Sequence, residues 1–341
     1  MGTETESGIR AVGLLSGGLD SILAVRVVQE QGVEVLALHF MSPFFSAEKR
    51  GREVEVEAYY KSVFGINVRI VDVSDEYMKL LANPRYGYGK NFNPCIDCKI
   101  FLFRKALAVM REEGARFLVT GEVIGQRPMS QRRDTMNLIA RDLGARDILL
   151  RPLSAKIMDP TLPEREGWVD RERLYGFSGR SRKPQVRLAA AMGISGYPTP
   201  AGGCVLTDPI KALRVGDYFA NTPPERLDSE NVRLLLTGRP FVLPEGSILT
   251  IGRTEAENTA LEKLYKAGDL YLSVVVVPGP VGLLRQPPGV DERELAASLV
   301  KRFCPKAAPD AQVGCGEVPD STDALIVVSP ASTETVETLR V

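Results

Sequence analysis

Six residues, Ser16-Gly17-Gly18-Leu19-Asp20-Ser21, restrict the fold of this chain more than any other stretch. Before them runs Ala11-Val12-Gly13-Leu14-Leu15, with the character of a buried parallel strand. After them Ile22 to Val28 continues as an amphipathic helix toward Gly32. A glycine-rich turn from a strand's carboxyl end to a helix's amino end makes an anion site. The first helical turn offers unpaired N–H donors and the positive end of the helix dipole. Gly17 and Gly18 let the backbone approach an anion, Ser16 and Ser21 add hydroxyl donors, and Asp20 can orient the turn or help hold Mg2+. Neither of two better-known phosphate loops is present. No lysine follows Gly18 as the Walker pattern demands, and the dinucleotide pattern G-x-G-x-x-G is absent. The plainer alternative is a helix N-cap that happens to be rich in Ser and Gly.

Strand and helix then alternate. Residues 33–40 and 67–73 read as strands, a helix is expected near 48–63, and another begins at Glu76. Phe117 to Glu122 is a strand ending in a glycine turn, Asp147 to Leu150 a further strand, and Gln185 to Met192 a helix. Such alternation implies right-handed crossovers and a parallel sheet, with ligands beyond the carboxyl ends of the strands. The loops at Ser16–Ser21 and Phe40–Ser42 then share one rim, and Gly121 is placed to line a nucleotide pocket. His39, the one histidine, sits inside a strand and reads as a core residue.

The second chemical feature is Asn93-Pro94-Cys95-Ile96-Asp97-Cys98-Lys99, followed by an apolar, basic helix. A C-x-x-C at a helix start puts both sulfurs near the positive dipole end, which lowers thiol pKa. Alone it fits a redox pair, half a zinc site or part of an iron–sulfur site. A closed zinc site wants four N/S ligands, and neither a nearby second C-x-x-C nor a spare histidine is present. Cys204 stands in the later Gly/Pro-rich loop Tyr197-Pro198-Thr199-Pro200-Ala201-Gly202-Gly203-Cys204.

The SGGLDS loop, NPCIDCK, GEVIGQRPMSQ, RPLSAK and AGGC together resemble the PP-loop ATP pyrophosphatases, in their tRNA-thiolating branch of the MnmA and ThiI kind. The resemblance covers about residues 10–208. It implies a parallel-sheet, adenine nucleotide α-hydrolase-like domain that cleaves ATP between the α- and β-phosphates and adenylates a uridine carbonyl oxygen of tRNA. Sulfur then replaces AMP. It implies ATP binding by Ser16, Gly17, Gly18, Asp20 and Ser21, with the backbone near Phe40 and Met41 holding adenine. Cys95 and Cys204 become the working pair, and in one subclass residues like Cys95, Cys98 and Cys204 hold a 4Fe–4S cluster. Three thiolates leave one iron without a protein ligand, open to hydrosulfide. The competing route is a persulfide on Cys204 or Cys95. The sulfur comes from sulfide or from a persulfide carrier such as a cysteine desulfurase.

A length of 341 residues suggests two domains, 1–208 and 209–341. The second resembles the small α+β NFACT-R module associated with RNA binding, departing from it at Thr254 and Ser273, so only its fold is carried over. A structural or dimerising cap, giving a homodimer, is the alternative role. Charge balances at 43 basic and 43 acidic residues, so any grip on nucleic acid must be local. Residues 165–187 are net +4, which puts Arg182 and Lys183 forward for tRNA phosphates, with Lys99, Arg104 and Lys105 as further candidates. Arg127, Arg132 and Arg133 are candidates for phosphates too. The stretch from Gly289 is net −4 and is not expected to grip RNA. No run of ~18 apolar residues is present, the first ten residues do not read as a signal peptide, and five cysteines suit a reducing cytoplasm. Cys304 and Cys315 read as ordinary or exposed thiols. Two other functions fit the loop less fully: a PP-loop amide-forming ligase, and a non-catalytic RNA-binding or sulfur-carrier protein.

Overall fold

The computed structural model describes residues 8–197, 203–275, 277–287, 289–318 and 321–341. Most of the loop before Cys204 (198–202), the first seven residues, and positions 276, 288, 319 and 320 lie outside the described residues. The chain divides into two compact units, Met1–Thr207 and Asp208–Val341.

The first unit is built on β1 (Arg10–Leu14), α1 (Leu19–Gln29), β2 (Glu34–Met41), α2 (Glu53–Phe64), β3 (Asn67–Asp72), α3 (Ser74–Ala82), α4 (Cys95–Glu112), β4 (Phe117–Thr120), α5 (Arg133–Asp142), β5 (Leu149–Leu150), α6 (Leu162–Arg165) and α7 (Lys183–Ala191). The five strands form one parallel sheet in the order β3-β2-β1-β4-β5. The order reverses at β1, so the crevice between the ends of β1 and β4 is the topological switch point where ligands bind. The helix after β1 differs from expectation in one respect. Ile22, Leu23, Ala24, Val25, Val27 and Val28 are all buried, so α1 is apolar nearly all round and packs on β2, β4 and α7. The helix expected near 48–63 starts only at Glu53, because Ala47–Lys49 forms a 3-10 turn and Gly51 takes a positive φ.

The switch point is closed by a glycine. A Cβ on Gly121, just beyond β4, would lie 2.6 Å from Ser21 Cα and against the Asp20 carbonyl. Both are backbone atoms, so no side chain can swing aside. Gly121 therefore lets β4 abut the anion loop.

The second unit holds α8 (Pro209–Asn221), α9 (Ser229–Leu236), β6 (Arg239–Val242), β7 (Ile248–Ile251), α10 (Glu255–Glu262), β8 (Leu270–Val274), β9 (Gly282–Arg285), α11 (Arg293–Arg302), β10 (Val313–Gly316), β11 (Ala324–Ile326) and α12 (Thr333–Leu339). Its sheet runs β11-β10-β8-β9-β7-β6, antiparallel throughout. The inner residues Phe241, Leu249, Leu272, Leu284 and Val313 share a core with Ala296, Leu299 and Val300 of α11. Cys304 and Cys315 lie in that core, both 3% exposed, so neither is the surface thiol that composition allowed.

Gly121→Ala should destabilise the first unit by about 1–3 kcal/mol through overpacking. Trp168, the one tryptophan, packs against Phe117 in this unit and reports it by fluorescence during urea unfolding of the full chain. An unchanged midpoint would show that the loop does not need the close approach.

Candidate active site

The anion loop is organised by Ser21. Its buried hydroxyl donates to the Gly18 carbonyl at 2.7 Å and accepts from the Ser16 amide at 3.2 Å. Ser21 thus shapes the loop from inside instead of standing free as a donor. Ser21 N–H and Ile22 N–H both return to Gly18 O, while the amides of Gly17, Gly18, Leu19 and Asp20 have no partner among the described residues. Those four are the orphan donors of a helix start. Gly17 adopts φ +81°, and a Cβ there would sit 2.9 Å from the Tyr60 hydroxyl.

Beneath the loop lies His39, fully buried, with Nε2 2.9 Å from Ser46 Oγ. Burial, helped by Lys49, pushes its pKa down to about 4. The ring is a neutral floor of the loop, as a core histidine should be.

Asp20 is held from the far side. Gln126 Nε2 donates to its Oδ2 at 2.5 Å, Gln126 Oε1 accepts from Gln185 Nε2 at 2.9 Å, and Arg182 Nη2 stands 3.7 Å from Oδ2. Oδ1 is buried with no partner among the described residues. Burial raises the Asp20 carboxyl above the ordinary range, against the pull of Arg182, Gln126 and Arg127. Sequence reasoning missed Gln126 and Gln185; only the GEVIGQ segment signalled the first. Arg182 was read as a tRNA contact, but its charge faces Asp20. It shares a basic cavity of about 480 Å³ with Lys183, Val186 and Arg187.

The two rim positions on β2 differ. Leu38 O takes the Leu15 amide on the β1 side, and Met41 O takes the Val73 amide on the β3 side. Alternation along the strand turns Phe40's backbone toward β1, past the point where β1 has ended. Phe40 therefore presents open backbone groups at the rim, whereas Met41's carbonyl is already engaged. Gly121 meets the loop's backbone, as described above.

The cysteine segment is the start of α4 itself, with Cys95 as its first residue. Asp97, buried between the two thiols, accepts the amides of Arg85 and Tyr86 at 3.0 and 2.9 Å and so folds the preceding loop back onto the helix. Asn93 Nδ2 donates to Cys95 Sγ at 3.1 Å. Cys204 is brought in by a 3-10 turn (Val205–Thr207) whose first amide bonds the Phe44 carbonyl at 2.9 Å, while Asn91 Nδ2 holds Thr207 O at 2.8 Å. The buried Tyr77 lies within electrostatic reach of all three thiols and its hydroxyl bonds Cys98. Thus residues more than a hundred positions apart are brought to one place. No three His, Cys, Asp or Glu among the described residues are placed to hold a single metal ion. A cluster's ligands bind separate irons and need not converge on a point, so an all-thiol set of three fits it better than it fits zinc.

The expected lowering of thiol pKa is overturned at Cys98. Burial pushes it up to about 11, outweighing the Tyr77 hydrogen bond, and pushes Cys204 up to about 12. A helix start gives little help to a charge that has lost its water.

Arg127 acts on both halves. It is exposed, and its charge is felt by Asp20 on one side and by Cys98 and Cys204 on the other. Four other basic candidates have internal partners. Lys99 bonds the buried Glu122 at 2.8 Å, Lys105 pairs with Glu76, Arg132 with Asp134, and Arg133 bonds Ile157 O; Arg104 is exposed. Burial alone would raise the Glu122 carboxyl, but Lys99 and Arg151 together hold it below the usual range.

Two predictions follow from these shifts. Unfolded His39 titrates near its ordinary 6.5 and folded His39 at about 4, so the unfolded chain takes up the proton first as pH falls. Stability should then drop between pH 6.5 and 4 by about 3 kcal/mol. In Trp168-monitored urea titrations the slope should be shallower in His39→Gln, and equal slopes would contradict a buried neutral ring. Cys98 and Cys204 should alkylate with iodoacetamide at pH 7.5 at least tenfold more slowly than free cysteine, read by peptide mass spectrometry. Rapid labelling of either would show that burial does not control it.

The chain is similar to known proteins in both of its units. Residues 6–157 match the family model described as thiamine biosynthesis protein (ThiI), and residues 238–340 match that of the NFACT protein RNA binding domain. A probable tRNA sulfurtransferase of Methanothermobacter thermautotrophicus is 29% identical over 163 residues, 47% of this chain and 41% of the relative. The tRNA-specific 2-thiouridylase MnmA of Pelobacter propionicus is 32% identical over 113 residues, 31% of each chain. Among solved structures, a 4-thiouridine synthetase–RNA complex with bound ATP is similar at 26% identity and a TM-score of 0.41, over 60% of this chain and 46% of that one. The chain spans less than half the length of these curated relatives. No helix among the described residues is long and apolar enough to cross a membrane. The similarity to the ThiI model thus lies within the first unit, at residues 6–157, and that to the NFACT RNA binding domain model within the second, at residues 238–340.

Proposed function

We propose that this protein is an ATP-dependent tRNA sulfurtransferase that replaces a uridine carbonyl oxygen by sulfur. One observation carries the reading: Arg127 lies within electrostatic reach of both the Asp20 carboxylate of the anion loop and the thiols of Cys98 and Cys204. Activation and sulfur delivery then share one rim. An amide-forming ligase has no use for thiols there, and the named relatives are thiolating enzymes.

The residues divide the work as follows. The free amides of Gly17, Gly18, Leu19 and Asp20 receive the β- and γ-phosphates, and Ser16 and Ser21 keep the loop in shape. Asp20, whose Oδ1 has no partner among the described residues, would hold Mg2+, which would supply positive charge to offset that gathering on the leaving pyrophosphate. Phe40's open backbone receives adenine. The uridine oxygen attacks the α-phosphorus, pyrophosphate leaves, and the base carries AMP on that oxygen. Arg127 and Arg182 stabilise charge gathering on the α-phosphate. A sulfide-level nucleophile adds to the activated carbon, AMP leaves with the oxygen and both electrons of the C–O bond, and C=S remains.

Cys95, Cys98 and Cys204 would hold a 4Fe–4S cluster, whose iron without a protein ligand supplies a place for sulfide. Burial keeps Cys98 and Cys204 protonated at neutral pH, which makes them poor persulfide relays unless a metal displaces the protons. Sulfide is the donor, or a persulfide carrier together with thiols that release its outer sulfur as sulfide and are oxidised to a disulfide; tRNA is the substrate, and the cytoplasm the setting. A thiolation domain (1–208) and an RNA-contacting domain (209–341) divide the work, a reading supported by the two compact units that meet at 207/208.

Asp20→Asn should lower RNA-dependent pyrophosphate release by about 10²–10³-fold. Arg127→Gln should slow both pyrophosphate release and thiolation. Ala at Cys95, Cys98 or Cys204 should leave pyrophosphate release in place and abolish thiouridine, measured by nucleoside mass spectrometry. Anaerobically purified protein should carry about four irons per chain, lost in each cysteine variant. Iron-free protein that thiolates at full rate would remove the cluster, and pyrophosphate exchange driven by a small carboxylic acid without RNA would remove the whole reading.

A further inference from the structure

We propose that Arg214, Arg239, Arg253 and Arg340 form a binding site for a phosphate group in the second unit. Four separate segments bring them together. Arg239 opens β6 opposite Ile251, the last residue of β7, and Arg253 lies two residues past that end. Arg340 lies along the β6 edge, where it bridges to Phe241, and the next amide bonds Pro240 O. Arg214 comes from α8 and reaches the Leu235 carbonyl at the end of α9, four residues before β6 begins. Arg214 and Arg239 each feel the charges of both Arg253 and Arg340.

Like charges at such range repel, and burial makes the repulsion stronger. Arg214 is only 8% exposed, and its Nε is a buried donor without a hydrogen-bond partner among the described residues. A guanidinium N–H stripped of water and left unpaired is costly. Arg239 lies over the Phe303 ring at 4.9 Å and donates Nη1 to the Gly252 carbonyl at 3.5 Å, which leaves its other N–H groups for an acceptor. The carboxylates at hand are already used. Glu257 is chelated by Arg253 through Nε and Nη2, and Asp208 caps α8 by accepting the amides of Ile210 and Lys211. Positive charge remains in excess.

An oxyanion of tetrahedral shape satisfies such a set. It accepts several N–H bonds, and guanidinium forks match its oxygens. The stretch from Gly289 is acidic as a whole, yet it contributes Arg340 here, so its net charge concealed a local basic site. The phosphate can belong to an RNA backbone or be free. The site stands whether or not the first unit thiolates RNA.

The test is nuclear magnetic resonance of the full chain with 15N-arginine. Nε–H resonances are assigned through Arg239→Gln and the exposed Arg340→Gln. Inorganic phosphate, then a single-stranded oligoribonucleotide, is added against chloride at matched ionic strength. The Arg214 and Arg239 resonances should move saturably, and Arg340→Gln should weaken saturation severalfold. Movement with the oligoribonucleotide identifies backbone phosphate as the ligand; movement with inorganic phosphate alone identifies a free anion. Phosphate captured by the Ser16–Ser21 loop is told apart because the readout is residue-specific. No movement beyond the chloride control with either probe overturns the site and leaves the thiolation reading untouched.

Discussion

The buried carboxylate of Glu122 ties the two halves of the site together. It bonds Lys99 at 2.8 Å and Arg151 at 3.0 Å while only 2% exposed. Lys99 belongs to the helix that carries Cys95 and Cys98, and Arg151 follows β5. The preceding residue, Gly121, abuts the backbone of Asp20 and Ser21. Two adjacent residues at the end of one strand thus fix the thiol helix and the anion loop relative to each other. Desolvation offsets much of the Coulomb gain in such a pair, so its value lies in register more than in net stability. A shifted Lys99 would strand a buried charge, and that cost holds the alternative arrangements off.

The thiols show how burial overrides local geometry. A helix amino end favours thiolate at an exposed C-x-x-C, and the sequence invites that inference. Tyr77, flanked by Phe44, Phe45 and Phe101 at 5.3–6.0 Å, builds an aromatic floor that removes water from Cys98 and Cys204. The dipole acts over one turn; desolvation acts on the whole charge. Where the local geometry favours a reactive thiolate, burial favours the protonated thiol at Cys98 and Cys204.

The parallel sheet and the strand–loop–helix setting of the anion loop were legible because alternating apolar runs and a glycine-rich turn have few other reasons to occur together. Side-chain partnerships were not. Lys99, Lys105 and Arg182 look alike as exposed cations in a sequence, but each has a carboxylate from a distant segment: Glu122, Glu76 and Asp20. Ser21 was legible as a loop residue, but not as the hydroxyl that braces the loop from inside. The difference between Phe40 and Met41 depends on where β1 stops beside β2, a matter of register that no local pattern encodes.

In this chain zero net charge does not exclude local attraction for a polyanion. Most of its cations in the first unit are consumed by structure, so the ones left over are informative. Arg127 is exposed at the rim between loop and thiols, and Lys183 and Arg187 line a cavity next to Arg182, whose own charge faces Asp20. In the second unit the excess gathers at the β6–β7 end, around a guanidinium with a dry, unpaired N–H. Electrostatic attraction falls off within a Debye length of about 8 Å at physiological salt, so distant charges elsewhere on the surface cannot cancel these clusters. Local excess, not the total, decides what the surface attracts.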